Sequence, residues 1–184
     1  MAASQAERVS SWAAEIDRIN RRTAALVRGI RSEQLHWKPP EGGWSMAEVL
    51  EHLTVTNERY LSAMSAATPV AAKPNRKPWR PSLMGGLLNF AMRKPKLRMK
   101  TPRVFAPGPQ PRERVFHEFL RTQLELRRAL ERALSSDLSR TRVASPATSM
   151  VRLNLGDCFE ILISHADRHL GQVERIRQRP AFPA

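Results

Sequence analysis

Three histidines are the residues of this chain best suited to chemistry. His165 and His169 stand four apart. On a helix that spacing puts two imidazoles on one face, one turn apart, where both can reach a single ion. Both fall inside an apolar stripe of Leu155, Cys158, Phe159, Leu162, Ala166, Leu170, Val173 and Ile176, not on a solvated side. His52 lies beside the apolar stripe of a separate helical pattern, between Val49 and Leu53 in register. Brought together in a bundle, two such helices offer three imidazoles to one divalent cation. Three protein ligands leave coordination positions for water or substrate, which is the pattern of a catalytic site, because structural zinc is closed by four. Imidazole suits zinc, nickel, copper and iron, so spacing leaves the metal open. Spacing also leaves open that these are core histidines satisfied by hydrogen bonds.

The run His165-Ala166-Asp167-Arg168-His169 has the outer spacing of the zinc-protease motif H-E-x-x-H. Ala166 stands where that motif needs its general base, so the protease reading fails. Asp167 and Arg168 point away from the shared histidine face and are expected in solvent. Cys158 is seven residues before His165, about 10 Å along the axis, and reads as a core thiol. His117 is a candidate fourth ligand with an exposed position as the simpler reading. His36 belongs to a connector at the surface. Glu51, Asn57, Tyr60 and Glu160 sit at heights near the histidines, but none is assigned as a general base.

These residues need helices to position them. Trp12, Ile16, Ile19, Thr23, Leu26 and Ile30 recur at spacings of four and three, which predicts a first helix over 4–30. Residues 31–44 read as a connector with Pro39, Pro40, Gly42 and Gly43. Ser45 and Glu48 form an S-x-x-E capping box, with Trp44 and Val49 placed as a hydrophobic staple, and open a second helix to about Ala67. A third runs from about Arg112 to Leu134, with Phe116, Phe119, Leu120, Leu130 and Leu134 facing inward. A fourth runs from about Leu155 to Gln178, with Asn154 as its cap. No period-two alternation predicts a substantial sheet. The expectation is one all-α domain over 1–184, a four-helix bundle with a long crossover, residues 68–111, between the second and third long helices. That crossover holds most of the 14 prolines and one short helical piece, Leu83 to Met92.

Lys and Arg number 31 against 17 Asp and Glu, a formal net charge of +14. Such a charge attracts nucleic acid, anionic membranes or anionic substrates. It is concentrated between residues 71 and 104, where ten Lys or Arg occur without an acid: Lys73, Arg76, Lys77, Arg80, Arg93, Lys94, Lys96, Arg98, Lys100 and Arg103. Beside them, Leu83, Met84, Leu87, Leu88, Phe90 and Met92 could enter a lipid interface. The plainer reading is a solvated crossover that roofs the histidines. One cysteine rules out a disulfide framework, and the expected home is the reducing cytoplasm. Residues 1–30 lack the unbroken apolar core of a signal peptide.

Two segments resemble one family. Gly43-Trp44-Ser45-Met46-Ala47-Glu48-Val49-Leu50-Glu51-His52-Leu53 is similar to the opening of the second helix in DinB-like proteins. Leu153-Asn154-Leu155-Gly156-Asp157, followed by His165-Ala166-Asp167-Arg168-His169-Leu170-Gly171-Gln172-Val173-Glu174, is similar to their last helix. Lys100-Thr101-Pro102 with Phe105-Ala106-Pro107 resembles the crossover of one branch. The resemblance implies a four-helix bundle, often a homodimer, with a metal held at His52, His165 and His169. Zinc or nickel would be expected ahead of iron or manganese. Relatives include transferases and isomerases that use low-molecular-weight thiols, and proteins named as metal-dependent hydrolases without a known substrate. The expected function is therefore a metal-dependent hydrolase or thiol S-transferase acting on a small molecule, anionic or a thiol. The alternative is a non-catalytic protein whose crossover binds an anionic membrane surface or nucleic acid. DNA-polymerase activity is not implied.

Overall fold

Capping boxes start three of the four long helices, because each satisfies two backbone N–H groups that a helix start leaves without partners. Ser4 and Glu7 open α1 (Gln5–Val27), Ser45 and Glu48 open α3 (Met46–Ser65), and Asn154 and Asp157 open α6 (Leu155–Arg177). In the last, the Asp157 N–H donates to Asn154 Oδ1 at 2.7 Å and the Asn154 N–H to Asp157 Oδ2 at 3.0 Å. The computed structural model describes residues 4–73, 78–94, 100–148 and 150–184. Arg76, Lys77, Lys96 and Arg98 of the basic run lie outside them.

A short α2 (Ser32–His36) follows α1, and α4 (Leu83–Met92) and α5 (Val115–Ala133) lie between α3 and α6. Helix α3 packs against α5 and α6, and α1 packs against the same two. Helices α1 and α3 therefore face each other across one diagonal of the bundle and α5 and α6 across the other, as the expected all-α, DinB-like fold requires. The interior is filled by fully buried Ile16, Ile19, Leu50, Leu53, Phe119, Leu126, Leu130, Phe159 and Leu162. Buried Gln5 joins the first turn of α1 to the segment after α5. Its amide donates to the carbonyl of Ser136 at 2.8 Å, and its oxygen accepts from the Leu138 N–H.

The structure departs from the sequence reading in three places. Helix α1 stops at Val27, short of Ile30, and Gly29 turns the chain at φ 71°, a left-handed conformation that favours glycine. Five residues of the supposed connector form α2. Leu134 is 44% exposed because α5 ends at Ala133, while Leu126 takes an inward place. No substantial sheet is expected, and among the described residues the one sheet is small: antiparallel β1 (Arg142–Ala144) with β2 (Arg152–Asn154), which leads directly into α6.

The crossover is tied down at both ends. Near its start, Ala72 and Asp137 exchange backbone bonds with Ser135 and Val70. Near its middle, the Trp79 indole N–H donates to Asn154 Oδ1 at 3.0 Å, and its ring meets Trp12 edge-on at 5.1 Å. Trp79 lies so close to Gly156 that any Cβ there would collide with the indole, which accounts for glycine at that position. Helix α4 lies along α6, and a single 3-10 turn (Arg103–Phe105) buries Phe105, stacked on Tyr60 at 5.9 Å. Asp157 is the joint between the two parts, since its carboxylate caps α6 and also accepts from the Ser82 N–H and hydroxyl. Asp157→Ala is expected to lower the unfolding free energy by about 2–3 kcal/mol, the sum of a lost cap and unpaired buried donors, as read by urea unfolding.

Candidate metal centre

The capping box at Ser45 sets the phase of α3, so His52 arrives in its second turn facing α6. On α6, His165 and His169 face back from successive turns. His52 Nε2 lies 3.0 Å from His165 Nε2, and the ring centroids of the three histidines are 4.5–4.8 Å apart. One ligand atom from each histidine falls within 4.8 Å of the others, the only such His, Cys, Asp or Glu group among the described residues. Tetrahedral zinc with Zn–N bonds near 2.0–2.1 Å would hold its nitrogens roughly 3.3 Å apart, inside the observed spread.

The outer ring nitrogens fix the tautomers. A carbonyl only accepts, so His52 Nδ1 carries the proton that it donates to the Phe105 carbonyl at 2.6 Å. His169 Nδ1 lies 2.9 Å from Gln172 Oε1 and donates likewise. Both Nε2 atoms are then lone-pair acceptors turned inward. An outer-shell carbonyl on the far nitrogen is how metal-ligating histidines are normally oriented. His165 Nδ1 is buried with no partner among the described residues. Of the three rings only His165 has a proton left for these inward lone pairs, and its contact at 3.0 Å is with His52. A cation satisfies all three lone pairs together, so the donor set fits a divalent metal.

Burial disfavours the charged form of each ring. It lowers His52, against the pull of the Phe105 carbonyl. It holds His165 well below the usual imidazole range, reinforced by His169, His52 and Arg168. It brings His169 down to about 4, with a further push from His52. All three are thus neutral at neutral pH, the state a metal requires.

The sequence model of the DinB superfamily matches residues 15–173, nearly the whole chain. The chain belongs to the DinB superfamily. No curated protein and no solved structure is a significant match to it. The matched span contains α3, the crossover and most of α6, so all three histidines of this DinB-superfamily protein lie within it.

The remaining residues singled out from the sequence stand apart from the cluster. His117 is exposed against Phe116, and His36 is exposed with Nδ1 on the Ser32 carbonyl. Cys158 is a buried thiol whose pKa burial pushes up. Glu51 turns to Arg112, Asn57 donates to Thr122, Tyr60 is buried, and Glu160 accepts from Trp12 and Arg93. Asp167 and Arg168 do point away from the histidines, but they are not simply solvated. Asp167 accepts from Arg18 and Arg22 of α1, and Arg168 donates to the carbonyls of Ala91 and Met92 at the end of α4. A groove of about 570 Å³ between α1 and α6 is lined by Trp12, Arg18, Glu160 and Arg168, on another face of α6, and none of the histidines lines it.

Three neighbours of the site were not assigned from the sequence. Phe105 contributes a backbone carbonyl, which carries no side-chain signal. Gln172 is one turn beyond His169, a spacing that was legible. Trp44, placed only as a staple, covers His52 at 4.9 Å and stacks on His169 at 6.3 Å. Gln172→Ala is expected to weaken metal binding on the order of 10–100-fold with helix content unchanged, as read by competition with a chromophoric chelator.

Proposed function

We propose that this protein is a metal-dependent enzyme of the hydrolase or thiol S-transferase type, with His52, His165 and His169 as the metal ligands. The observation that carries the reading is the convergence of three neutral imidazoles, those of His52 and His165 buried and that of His169 half-buried, whose ligand atoms lie within 4.8 Å of one another. A divalent cation bound there, zinc or nickel first, supplies Lewis acidity that generates a nucleophile from water or a low-molecular-weight thiol at neutral pH. The chain's own groups do the positioning. Phe105 and Gln172 hold two rings in the ligating tautomer, and the Trp44 indole shields the cluster from bulk water on one side. His169 is the least buried of the three, so substrate approaches from its side, past Trp44 and Gln172. No fourth protein ligand joins the cluster among the described residues, which favours a catalytic over a closed structural site. The net charge of +14 favours a small substrate carrying negative charge.

Elemental mass spectrometry on untagged protein tests the metal. The expected result is a near-stoichiometric divalent metal in the parent and its loss in His52→Ala and His169→Ala, with helix content retained. A folded parent that neither carries metal nor takes up added zinc, nickel or manganese would remove the reading. Turnover by the loaded parent in the presence and absence of an added low-molecular-weight thiol then separates thiol transfer from hydrolysis.

A further inference from the structure

Helix α4 is mounted with its polar side inward. The Ser82 N–H and hydroxyl donate to Asp157 at 3.0 and 2.6 Å, and the Asn89 amide donates to Glu160 at 3.3 Å. Gly85 is buried where any side chain would collide with the Asp157 carboxylate. Arg168 closes the far end by donating to the Ala91 and Met92 carbonyls. Leu88 packs inward against the core, but three other large apolar residues point the other way. Leu83 is 94% exposed, and Leu87 and Phe90 are each 60% exposed. Spaced by four and three, they form a single outward stripe along the helix. An amphipathic helix left to itself turns such a stripe toward the core, whereas here hydrogen bonds to α6 fix it in solvent.

Charge selects what covers the stripe. Helix α4 lies within the stretch 71–104, which has ten Lys or Arg and no acid. Arg80 precedes it and is exposed, Arg93 and Lys94 follow it and are exposed, and the Lys94 ammonium sits 5.0 Å from the Phe90 ring centroid. A second copy of this chain would bring like charges together, so the face is mismatched with itself. Nucleic acid matches the cations but offers nothing to an aliphatic stripe. An anionic bilayer matches both, with headgroups for the cations and the acyl boundary for Leu83, Leu87 and Phe90. We propose that α4 is a docking element for the surface of an anionic membrane, laying this stripe in the interface. The chain then lies on the bilayer, and no helix among the described residues is long and apolar enough to cross it. The inference is independent of the metal centre.

Vesicle co-sedimentation of the full chain tests it, with phosphatidylcholine alone and phosphatidylcholine mixed with phosphatidylserine. Binding is expected only to the anionic vesicles. The double variant Leu87→Ser/Phe90→Ser, altered at exposed positions and checked for helix content, is expected to bind roughly tenfold more weakly or worse. Arg80→Gln/Lys94→Gln is expected to weaken binding at low salt. No sedimentation with anionic vesicles overturns the proposal. So does equal binding by the serine variant, since attraction would then be charge alone. Tighter binding to duplex DNA than to anionic vesicles at the same salt, unchanged in the serine variant, makes nucleic acid the partner and overturns it. A parent dimer that the serine variant dissociates in sedimentation velocity assigns the stripe to a second copy, with the same consequence.

Discussion

His165→Leu is expected to abolish stoichiometric metal uptake and, in the metal-free protein, to raise the unfolding free energy by about 1–3 kcal/mol. The two effects have one cause. His165 is buried, with Nδ1 unpartnered among the described residues and a pKa held well below the imidazole range. Its ring therefore costs the empty protein the desolvation of a polar atom that nothing in the fold repays. Leucine has a similar volume and no polar atom, so it removes that cost while leaving the core filled. It also deletes one of the three candidate ligands, and three donors become two. His165→Ala is the contrasting variant. It loses metal equally but opens a cavity, and its metal-free form should be less stable than the leucine variant by about 2–3 kcal/mol. Chelator-treated proteins compared by urea unfolding, beside zinc uptake, give both readings. A leucine variant clearly less stable than the metal-free parent would mean that the His52–His165 contact at 3.0 Å is a structural hydrogen bond. The cluster would then be core histidines, the second reading that spacing alone left open.

Much of this arrangement was legible in the sequence because it rests on local rules. The capping box at Ser45 and the cap at Asn154 depend on neighbours three residues away, and they fix the phase of the two helices that carry the histidines. The i, i+4 pair is a property of one helix. The apolar run Leu83–Met92 marked the short helix with its observed ends, and the structure adds Ser82 as its cap. What the sequence could not disclose depends on the path of the chain in space. Phe105 is 53 residues from the ring it orients and acts through its backbone. The strands of the small sheet are three residues each, too short for alternation to register. Asn154 was the cap read from the sequence; that Asp157 completes its box and also fastens α4 follows only from the structure. The inversion of α4 is the sharpest case. Periodicity identifies an apolar stripe but does not say whether it faces the core, and here polar contacts with α6 outweighed the stripe.

Acid is expected to destabilise the metal-free protein well before carboxylate protonation does, and bound metal is expected to delay that loss. Take His169, lowered to about 4 by burial and by His52, against an ordinary unfolded value near 6.5. Above pH 6.5 neither state binds the proton and this histidine adds no pH dependence. Between 6.5 and about 4 the unfolded chain is protonated and the folded chain is not. Folding must then exclude a proton, and stability falls by about 1.4 kcal/mol per pH unit for this one group. Its full contribution is about 3 kcal/mol, complete near pH 4, where the folded form begins to protonate as well. His52 and His165 are displaced in the same direction and steepen the fall below the ordinary imidazole range. Metal occupies the lone pairs that protons would take, so the loaded protein gains stability as RT ln(1 + [M]/Kd), about 4 kcal/mol at a thousandfold excess over Kd. Urea midpoints at pH 7.5, 6 and 5, with chelator and with zinc, read both effects. The chelated parent should lose stability steeply between pH 6.5 and 5, His169→Leu should fall more gently, and zinc should hold the parent near its neutral-pH value until protons displace the ion. A chelated parent with no change between pH 7.5 and 5 would mean that these imidazoles are not buried in their neutral form. The preformed, proton-free site on which metal binding depends would then be absent.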